Sequence, residues 1–515
     1  MAKGFFKPFA KLRQVENMYL MGIDIGTTGC KVLVLDETGQ TAVFAYREYP
    51  LIFPRAGWME LDPKIVAESI FDCITQCTDR CDGGKIGAIA VSSQGEAVVP
   101  VRKDGTVLAN SIVTFDPRST DEADWLERQV SKKELMEITG APIHSMFTIT
   151  KLLWMKKNTP EILKHCWKFM CFGDFISYLL GAKPAIDYSM ASRTMLFDIR
   201  KKGWSNEILQ ICSLSEEQFS EPVPSGSIIG KIEPPLAKRL KISPDTLIVS
   251  GGHDQVCCAV GCGVFRSGCA MDSLGTTESI VCVNHELVVT PQMVENNIPV
   301  YVYPLPNLYA YLSFLSSSGS VLKWFRDQVL RSTDPDIYRE MDDEAQQAFP
   351  GPSGLFVLPH FAGSGTPYLN DQSKGLISGL TLNSSMSQIY KAIIEGTCYE
   401  ARMNIDVMRR SGIEFDELRC IGGGAKSDLW LQVKANITNM KVVAMEVNEA
   451  GCLGAALLAG LGAGMFEDVE SVIGNYTSVK HIYLPDHTQH ERYCRLFEDY
   501  SKIYERNYDL FGGLQ

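Results

Sequence analysis

Met21-Gly-Ile-Asp-Ile-Gly-Thr-Thr-Gly-Cys-Lys-Val-Leu-Val34 is the stretch around which the rest of this chain is read. Apolar residues flank a Gly-Thr-Thr-Gly centre on both sides, which predicts a strand, a tight polar turn and a second strand returning antiparallel. Gly26 and Gly29 admit positive φ and let backbone N–H groups approach an anion closely. Thr27 and Thr28 add hydroxyls, and Asp24 supplies a carboxylate suited to hold a hydrated Mg2+ against phosphates. The stretch reads either as a phosphate cradle with a metal anchor or as an ordinary hairpin that carries Gly and Thr for its turn geometry. A second copy favours the cradle. Ala270-Met-Asp-Ser-Leu-Gly-Thr-Thr-Glu-Ser-Ile-Val-Cys-Val283 aligns with the first stretch residue for residue, setting Gly275, Thr276 and Thr277 on Gly26, Thr27 and Thr28. A repeat at so long a separation predicts a duplicated domain, its two turns clamping a phosphate chain from both sides.

The chain has 515 residues, more than one hydrophobic core holds. Two domains of similar size are expected, over 18–250 and 251–515, after an extension over 1–17. A hydrophobic content of 45% and a charged content of 21% suit a globular enzyme. The net charge of -12, offset by no Lys/Arg-rich stripe, argues against nucleic acid as a partner. Sixteen cysteines without a signal peptide read as reduced thiols in a cytoplasmic protein. Cys73, Cys77 and Cys81 fall at helical spacing, but no His pairs with them as in a zinc finger. They and Cys257, Cys258 and Cys262 are read as small buried residues without a metal role. The apolar stretch from Gly451 to Phe466 is too short and Gly-rich to cross a membrane and predicts a buried helix. Lys3, Lys7, Lys11 and Arg13 stand among Phe5, Phe6 and Phe9, as in a basic amphipathic arm or in a translated leader before a start at Met18 or Met21. The leader is preferred, so deleting Met1 to Val15 is expected to leave turnover intact.

Asp62 and Pro63 are the cap and first residue of a helix continued by Val66, Ile70 and Ile74. Ile86 to Val91 is a buried strand that delivers Ser92-Ser-Gln-Gly-Glu96 to its C-terminal end, where open α/β sheets bind ligands. A second delivery runs from Ile112 to Arg118. Gln94, Glu96, Asp116 and Arg118 are therefore a polar cluster for a polyhydroxylated ligand, or else a solvated loop rim. Residues 120–220 read as mostly helical, with Trp154, Trp167 and Trp204 as core anchors. The strand Thr246 to Ser250 ends in Gly251-Gly-His-Asp-Gln255 and presents Asp254 between the two repeats, where a hinge and a cleft are expected. Asn383-Ser-Ser opens a long helix closed by Gly412. Cys420-Ile-Gly-Gly-Gly-Ala-Lys-Ser-Asp428 opens another, its glycines admitting a nucleotide to free N–H groups.

From Met18 to about Phe466 the sequence resembles the FGGY family of carbohydrate kinases. One family signature matches Met146-Phe-Thr-Ile-Thr-Lys-Leu-Leu-Trp-Met-Lys-Lys-Asn158; the other matches Gly375-Leu-Ile-Ser-Gly-Leu380 followed by Gln388-Ile-Tyr-Lys-Ala-Ile-Ile-Glu395. The resemblance implies an α/β, actin-like ATPase (ribonuclease H-like) fold of two duplicated domains around a central cleft, working with ATP and Mg2+. It makes Asp254 the catalytic base and Asp24 the residue nearest Mg2+. Gly26, Thr27, Thr28, Gly275, Thr276 and Thr277 would surround the phosphates, and Gly423, Gly424, Ala425 and Asp428 would line the adenosine site. Gln94, Glu96, Asp116, Arg118 and Gln255 would face the sugar. Departures from the family pattern bear on the substrate. Gly95 stands where glycerol kinases carry Arg and xylulokinases Met, Thr114 where both usually carry Trp, and Gly365 where an Arg is common. A roomier pocket without one apolar wall is expected, suited to a ketopentose or related polyol.

The expected partner is thus a small sugar or polyol, with neither nucleic acid nor a membrane, and a homodimer is admitted. Three other readings compete: a glycerol- or erythritol-type polyol kinase, an actin- or chaperone-like ATPase that moves a protein partner, and a catalytically silent sugar-binding regulator. ADP release over a panel of sugars and polyols separates them.

Overall fold

In the computed structural model the first hairpin forms as its pattern predicts. Strand Tyr19–Ile25 pairs antiparallel with Gly29–Leu35, Asp24 opposite Lys31 and Ile25 opposite Cys30. Neither Gly26 nor Gly29 takes a left-handed φ, however, and nor does Gly275 in the second turn. Room is the reason for glycine here: a Cβ at Gly29 would lie 2.8 Å from Arg47 O and from the Tyr46 ring. Residues 18–36, 39–81, 86–447 and 449–511 are described; the expected extension over 1–17 lies outside them.

Two compact units divide the chain, one made of residues up to 265 with 301–309 and 447–478, the other of 266–300, 310–446 and 479 onward. The first is built on a six-stranded sheet in which Thr41–Glu48, Gly29–Leu35, Tyr19–Ile25, Ile86–Ser93 and Leu247–His253 lie side by side, with Ile228–Lys231 at the edge. The hairpin and Thr41–Glu48 are antiparallel, whereas Ile86–Ser93 and Leu247–His253 join parallel. A seven-stranded sheet repeats this order with Tyr309–Leu315, Glu278–Asn284, Gly268–Leu274, Phe415–Ile421 and Lys441–Glu446, flanked by Val300–Val302 and Ser478–Tyr483. In both, the chain-order positions across the core of the sheet are third, second, first, fourth and fifth. The repeat seen in the turns therefore extends to the whole sheet, as the duplicated α/β arrangement requires.

The expected change of domain between 250 and 251 falls inside Leu247–His253, which is hydrogen-bonded to Ile86–Ser93 and cannot be parted from the first sheet. The chain also returns to that sheet late. Helix Ala450–Gly462, the buried apolar helix read from the sequence, packs on Tyr19–Ile25. Its small residues permit backbone contact: a Cβ at Gly22 would stand 1.8 Å from Cys452 O, and one at Gly454 2.0 Å from Cys257 O.

Helix Pro63–Thr78 starts at the expected cap, Asp62 Oδ1 accepting the Lys64 N–H at 2.8 Å. Its face carries Cys73 and Cys77 into the core, with Cys81 just beyond. Trp154, Trp167 and Trp204 are only half-buried, so they do not anchor the core of 120–220. Phe147, Phe172, Phe175 and Phe197 are large aromatic side chains that are fully buried there. Partial burial is common for rings of this size. Among the described residues, no helix is long and apolar enough to cross a membrane.

Candidate active site

Strand Leu247–His253 runs directly into helix Asp254–Gly261, which sets Asp254 at a helix start, its Oδ1 accepting the Gln255 N–H at 2.6 Å. Gly251 permits this path, since a Cβ there would lie 1.9 Å from Val91 O. The Asp254 side chain remains 26% exposed. Burial, reinforced by the charge of Asp24, pushes its carboxyl up to about 7, against the opposing pull of Gln255 and Arg193. His253 Nε2 stands 3.1 Å from Asp254 Oδ1. Burial first, and the Arg193 charge second, hold the imidazole well below its ordinary pKa. The neutral ring then turns its single N–H toward the carboxylate and leaves Nδ1 as an acceptor.

Glu96, just beyond strand Ile86–Ser93, takes a left-handed conformation, φ 63°. Its backbone is held by Thr148 Oγ1, which donates to Glu96 O at 2.9 Å, and its carboxylate by Thr114 Oγ1 at 2.9 Å and an ion pair with Arg193. Arg193 in turn lies over the Phe147 and Tyr301 rings, 5.0 and 4.8 Å from their centroids. Lys151, the lysine of the first family signature, is fully buried and donates to Met146 O at 2.7 Å. Burial raises the Glu96 pKa and lowers that of Lys151, and the attraction between the two opposes both shifts. The roomier pocket expected from Gly95 is not found, because a Cβ there would meet His253 Cδ2 at 3.0 Å and Arg193 Nε at 3.2 Å. Those two side chains fill the volume that a bulkier residue would take. Thr114 turns its hydroxyl to Gly95 O and Glu96. A Cβ at Gly365 would meet Phe314 O at 1.9 Å.

The four residues of the expected sugar cluster part company. Gln94 belongs to the first turn: Thr27 Oγ1 donates to its Oε1 at 3.1 Å, and its Nε2 donates to Gly26 O at 3.3 Å. Asp116 is fully buried, both oxygens taken by the Met59 N–H at 2.5 Å and by Arg118 at 2.7 to 2.9 Å. Arg118 spends its remaining nitrogen on Glu60 at 2.7 Å and lies against Trp58 and Trp154. That pair is an internal brace, saturated by its own neighbours, and is not open to a ligand as expected. Glu96 and Gln255 stay with Asp254.

Besides Glu96 Oε1, whose contact is the ion pair with Arg193, four buried atoms of this region have no hydrogen-bond partner among the described residues: Arg193 Nε, His253 Nδ1, Gln255 Oε1 and Tyr301 OH. Buried polar groups are rarely left so, and a cluster of them is the mark of a polar ligand's place. The sequence reading missed Arg193, His253 and Tyr301 as site residues. His253 was legible beside Asp254; Arg193 lies in a short helix-to-strand link and Tyr301 arrives from a distant segment, with no local signal.

Asp24 lies at the end of the first hairpin strand, its Oδ1 accepting from Ser92 Oγ at 2.7 Å. Gly451 backs onto it, since a Cβ there would stand 3.0 Å from the Asp24 carboxyl carbon. Burial raises its pKa, while Ser92 and Lys31 oppose the rise. A half-buried carboxylate of this kind fits a hydrated divalent cation, which would relieve the desolvation.

In the second unit, the N–H groups of Ser318 and Ser320 donate to Thr276 O at 3.1 Å and that of Gly319 to Gly275 O at 3.0 Å, bracing the second turn. A cavity of about 730 Å³ opens beside it, lined by Gly275, Thr276, Tyr338, Gly423, Gly424 and Asp428 among others, but not by Ala425. The triple glycine does not open the helix directly. A 3₁₀ turn over Gly424–Lys426 intervenes, and helix Asp428–Thr438 begins with Ser427 Oγ accepting the Trp430 N–H at 3.0 Å. Ser427 thus takes an N–H that the sequence reading left for a ligand. Gly422 has φ 88° and Gly424 packs on Leu274 and the Trp430 ring, whereas a Cβ at Gly423 would meet nothing within 4 Å. Trp430 Nε1, also on this wall, has no partner among the described residues. The size and the orphaned donor fit a nucleotide.

Residues 19–261 match the N-terminal domain of the FGGY family of carbohydrate kinases and residues 270–463 its C-terminal domain. The xylulose kinase of Bacillus subtilis (strain 168) is 27% identical over 96% of this chain and 99% of its own length. Two solved structures from Lactobacillus acidophilus, one titled a gluconate kinase and one a ligand-bound xylulose kinase, are each 26% identical. Each covers 97% of this chain and 100% of its own with a TM-score of 0.90. With both domains matched in order over most of its length, the chain belongs to the FGGY family of carbohydrate kinases, phosphotransferases that pass a phosphate from ATP to an alcohol group.

Proposed function

We propose that the chain phosphorylates a hydroxyl of a ketopentose, with Asp254 as the base. The observation that carries this reading is the accessible Asp254 carboxylate set among Arg193 Nε, His253 Nδ1, Gln255 Oε1 and Tyr301 OH, all awaiting polar partners. Phosphoryl transfer passes through a loose transition state, so positioning and charge stabilisation supply most of the acceleration. Asp254 orients the acceptor oxygen and takes its proton late, and a carboxyl pushed up to about 7 is a better base near neutrality than an ordinary one. Arg193, Glu96, Gln255 and His253 hold the other hydroxyls. Gly26 and Gly275 donate their own N–H groups to Gly29 O and Thr277 O at 3.0 Å to close their turns, so in each turn the threonines, Thr27 and Thr28 or Thr276 and Thr277, are the residues offered to a phosphate, while Gly423, Gly424 and Asp428 receive the adenosine. Asp24 and Ser92 would hold Mg2+, which when bound neutralises phosphate charge. Ala425, Asp116 and Arg118 have no direct contact in this reading.

The relatives' names support a pentulose, and one neighbour's title raises a sugar acid instead. The electrostatics favour the uncharged ketose, because the Arg193 charge is already met by Glu96 and the region adds Asp24 and Asp254. A protein-moving ATPase would leave Asp254 and the orphaned polar atoms without use. ADP release is expected to be stimulated by D-xylulose or a related ketopentose well above glycerol and gluconate. Stimulation by gluconate above every ketose, or only by a protein, would sink the proposal.

The pH profile follows from the same carboxyl. Asp254 accepts a proton only when ionised, so kcat/KM for the sugar is expected to rise with pH and level off above about 7. Arg193 and the neutral His253 face this group, and Asp24 lies near enough to raise it. A profile flat from about pH 5.5 to 8 would remove Asp254 from the rate-limiting proton transfer.

A further inference from the structure

Lys434, in helix Asp428–Thr438, is fully buried between two carboxylates as deeply buried as itself. Its ammonium pairs with Asp272 Oδ2 of the strand entering the second turn and stands 2.7 Å from Oε1 of Glu278, the first residue of the strand leaving it. The other oxygen of Glu278 accepts from Ser318 Oγ at 2.9 Å. Ser318 and the two residues after it donate the three N–H bonds to Gly275 O and Thr276 O that brace the turn. The contact there is close, since a Cβ at Gly319 would lie 2.5 Å from Gly275 O. An unbroken line of polar contacts therefore runs from Lys434 through Glu278 and Ser318 to the turn.

Stability is a weak reason for such a cluster, because apolar side chains of similar volume commonly replace buried ion pairs without loss. The first hairpin supplies the comparison within the same chain. Ile23 and Gly29 stand there in place of Asp272 and Glu278. Its turn is braced by neutral groups instead, Tyr49 OH donating to Gly26 O at 2.6 Å and Gly29 O at 3.0 Å beside the Gln94 contacts. What the ionic brace adds is a tie to one helix, the helix whose first residue, Asp428, lines the same cavity as Gly275 and Thr276. We propose that Lys434, acting through Glu278 and Ser318, is a positioning residue that sets the phosphate turn at a fixed distance from the adenosine wall, so that one rigid piece holds both ends of the nucleotide. This rests on the reading of the second turn and its cavity as the ATP site.

Lys434→Met leaves two buried carboxylates bare, and its failure to fold would say little about positioning. Glu278→Gln and Ser318→Ala are the informative variants: the first drops a charge and keeps hydrogen-bonding capacity, and the second cuts only the link to the turn. Both are expected to weaken calorimetric ADP binding and raise the KM for ATP by about tenfold, as the loss of one bond to a charged group implies. The KM for the sugar should stay within about twofold, and Lys434→Arg should recover most of the ADP affinity lost in Lys434→Met. Folded Glu278→Gln and Ser318→Ala proteins with wild-type ADP affinity would overturn the positioning role, as would equal losses toward ATP and sugar. Wild-type protein that does not bind ADP would overturn the nucleotide reading beneath it, an outcome distinct from the first two.

Discussion

Asp254→Asn is expected to lower kcat for sugar phosphorylation by about three orders of magnitude while ADP binding is unchanged. The substitution is nearly isosteric. The amide oxygen still accepts the Gln255 N–H and still faces the N–H of His253, so the helix start and the site geometry persist. What is lost is the ability to take the proton of the acceptor hydroxyl and the negative charge that orients it. Residues 275–277 and 423–428, proposed to hold the nucleotide, are untouched by the substitution, which is why binding of ADP separates this effect from a general collapse. A second signature follows from linkage. The folded carboxyl is raised from 3.8 to about 7, so it destabilises the fold progressively as pH rises through that window. Asparagine cannot ionise, and the variant is therefore expected to melt higher than wild type at pH 8 and to match it near pH 4. An inactive but more stable protein is the pattern of a residue kept for chemistry. Near-normal turnover in Asp254→Asn would refute the assigned role.

Gly22→Ala is expected to destabilise the first unit by about 3 kcal/mol or more, with a midpoint lowered on the order of 10 °C. The single added carbon would stand 1.8 Å from Cys452 O and 2.9 Å from Ala456 N, both backbone atoms of helix Ala450–Gly462. A flexible side chain can swing away from an intruding methyl, but helix backbone moves only as a body. That helix also touches Cys257 O through Gly454 and the Asp24 carboxyl through Gly451, so a shift disturbs the strand bearing Asp24 and the helix bearing Asp254 together. Thermal melts followed by circular dichroism, with sugar KM measured on the folded fraction, test this. A midpoint within about 2 °C of wild type would show that the helix can back away.

Some of this was legible in the chain itself. The Gly-Thr-Thr turns were found because apolar residues flanking a short polar centre specify a hairpin locally, and their duplication announced a duplicated domain, whose shared strand order only the structure shows. Asp254 stood out because two glycines before an acid at a strand end signal close passage of backbone, and a Cβ on Gly251 would indeed stand only 1.9 Å from Val91 O. The reason assigned to Gly26 and Gly29 was different: sequence suggested positive φ, whereas the structure requires only space. The Ser427 cap was likewise foreseeable from Ser-Asp before an apolar run, yet the preceding glycines drew attention to themselves.

The polar residues show where sequence stops. Gln94, Glu96, Asp116 and Arg118 read alike, as hydrophilic residues at strand ends, but one braces a turn, two saturate each other and one pairs with Arg193. Hydrogen-bond capacity is consumed by whichever partner folding brings near, and those partners came from Met59, Glu60 and Arg193, none of them predictable from local pattern. By itself, then, the sequence determined two hairpin-bearing α/β sheets, their Gly-Thr-Thr turns and the acid that stands between the repeats in the chain, because each is written in short-range periodicity and turn chemistry. Only the tertiary structure decided which polar atoms remain unsatisfied around Asp254 and what fills the space at Gly95, because satisfaction and volume depend on residues far apart in the chain that meet only when it folds.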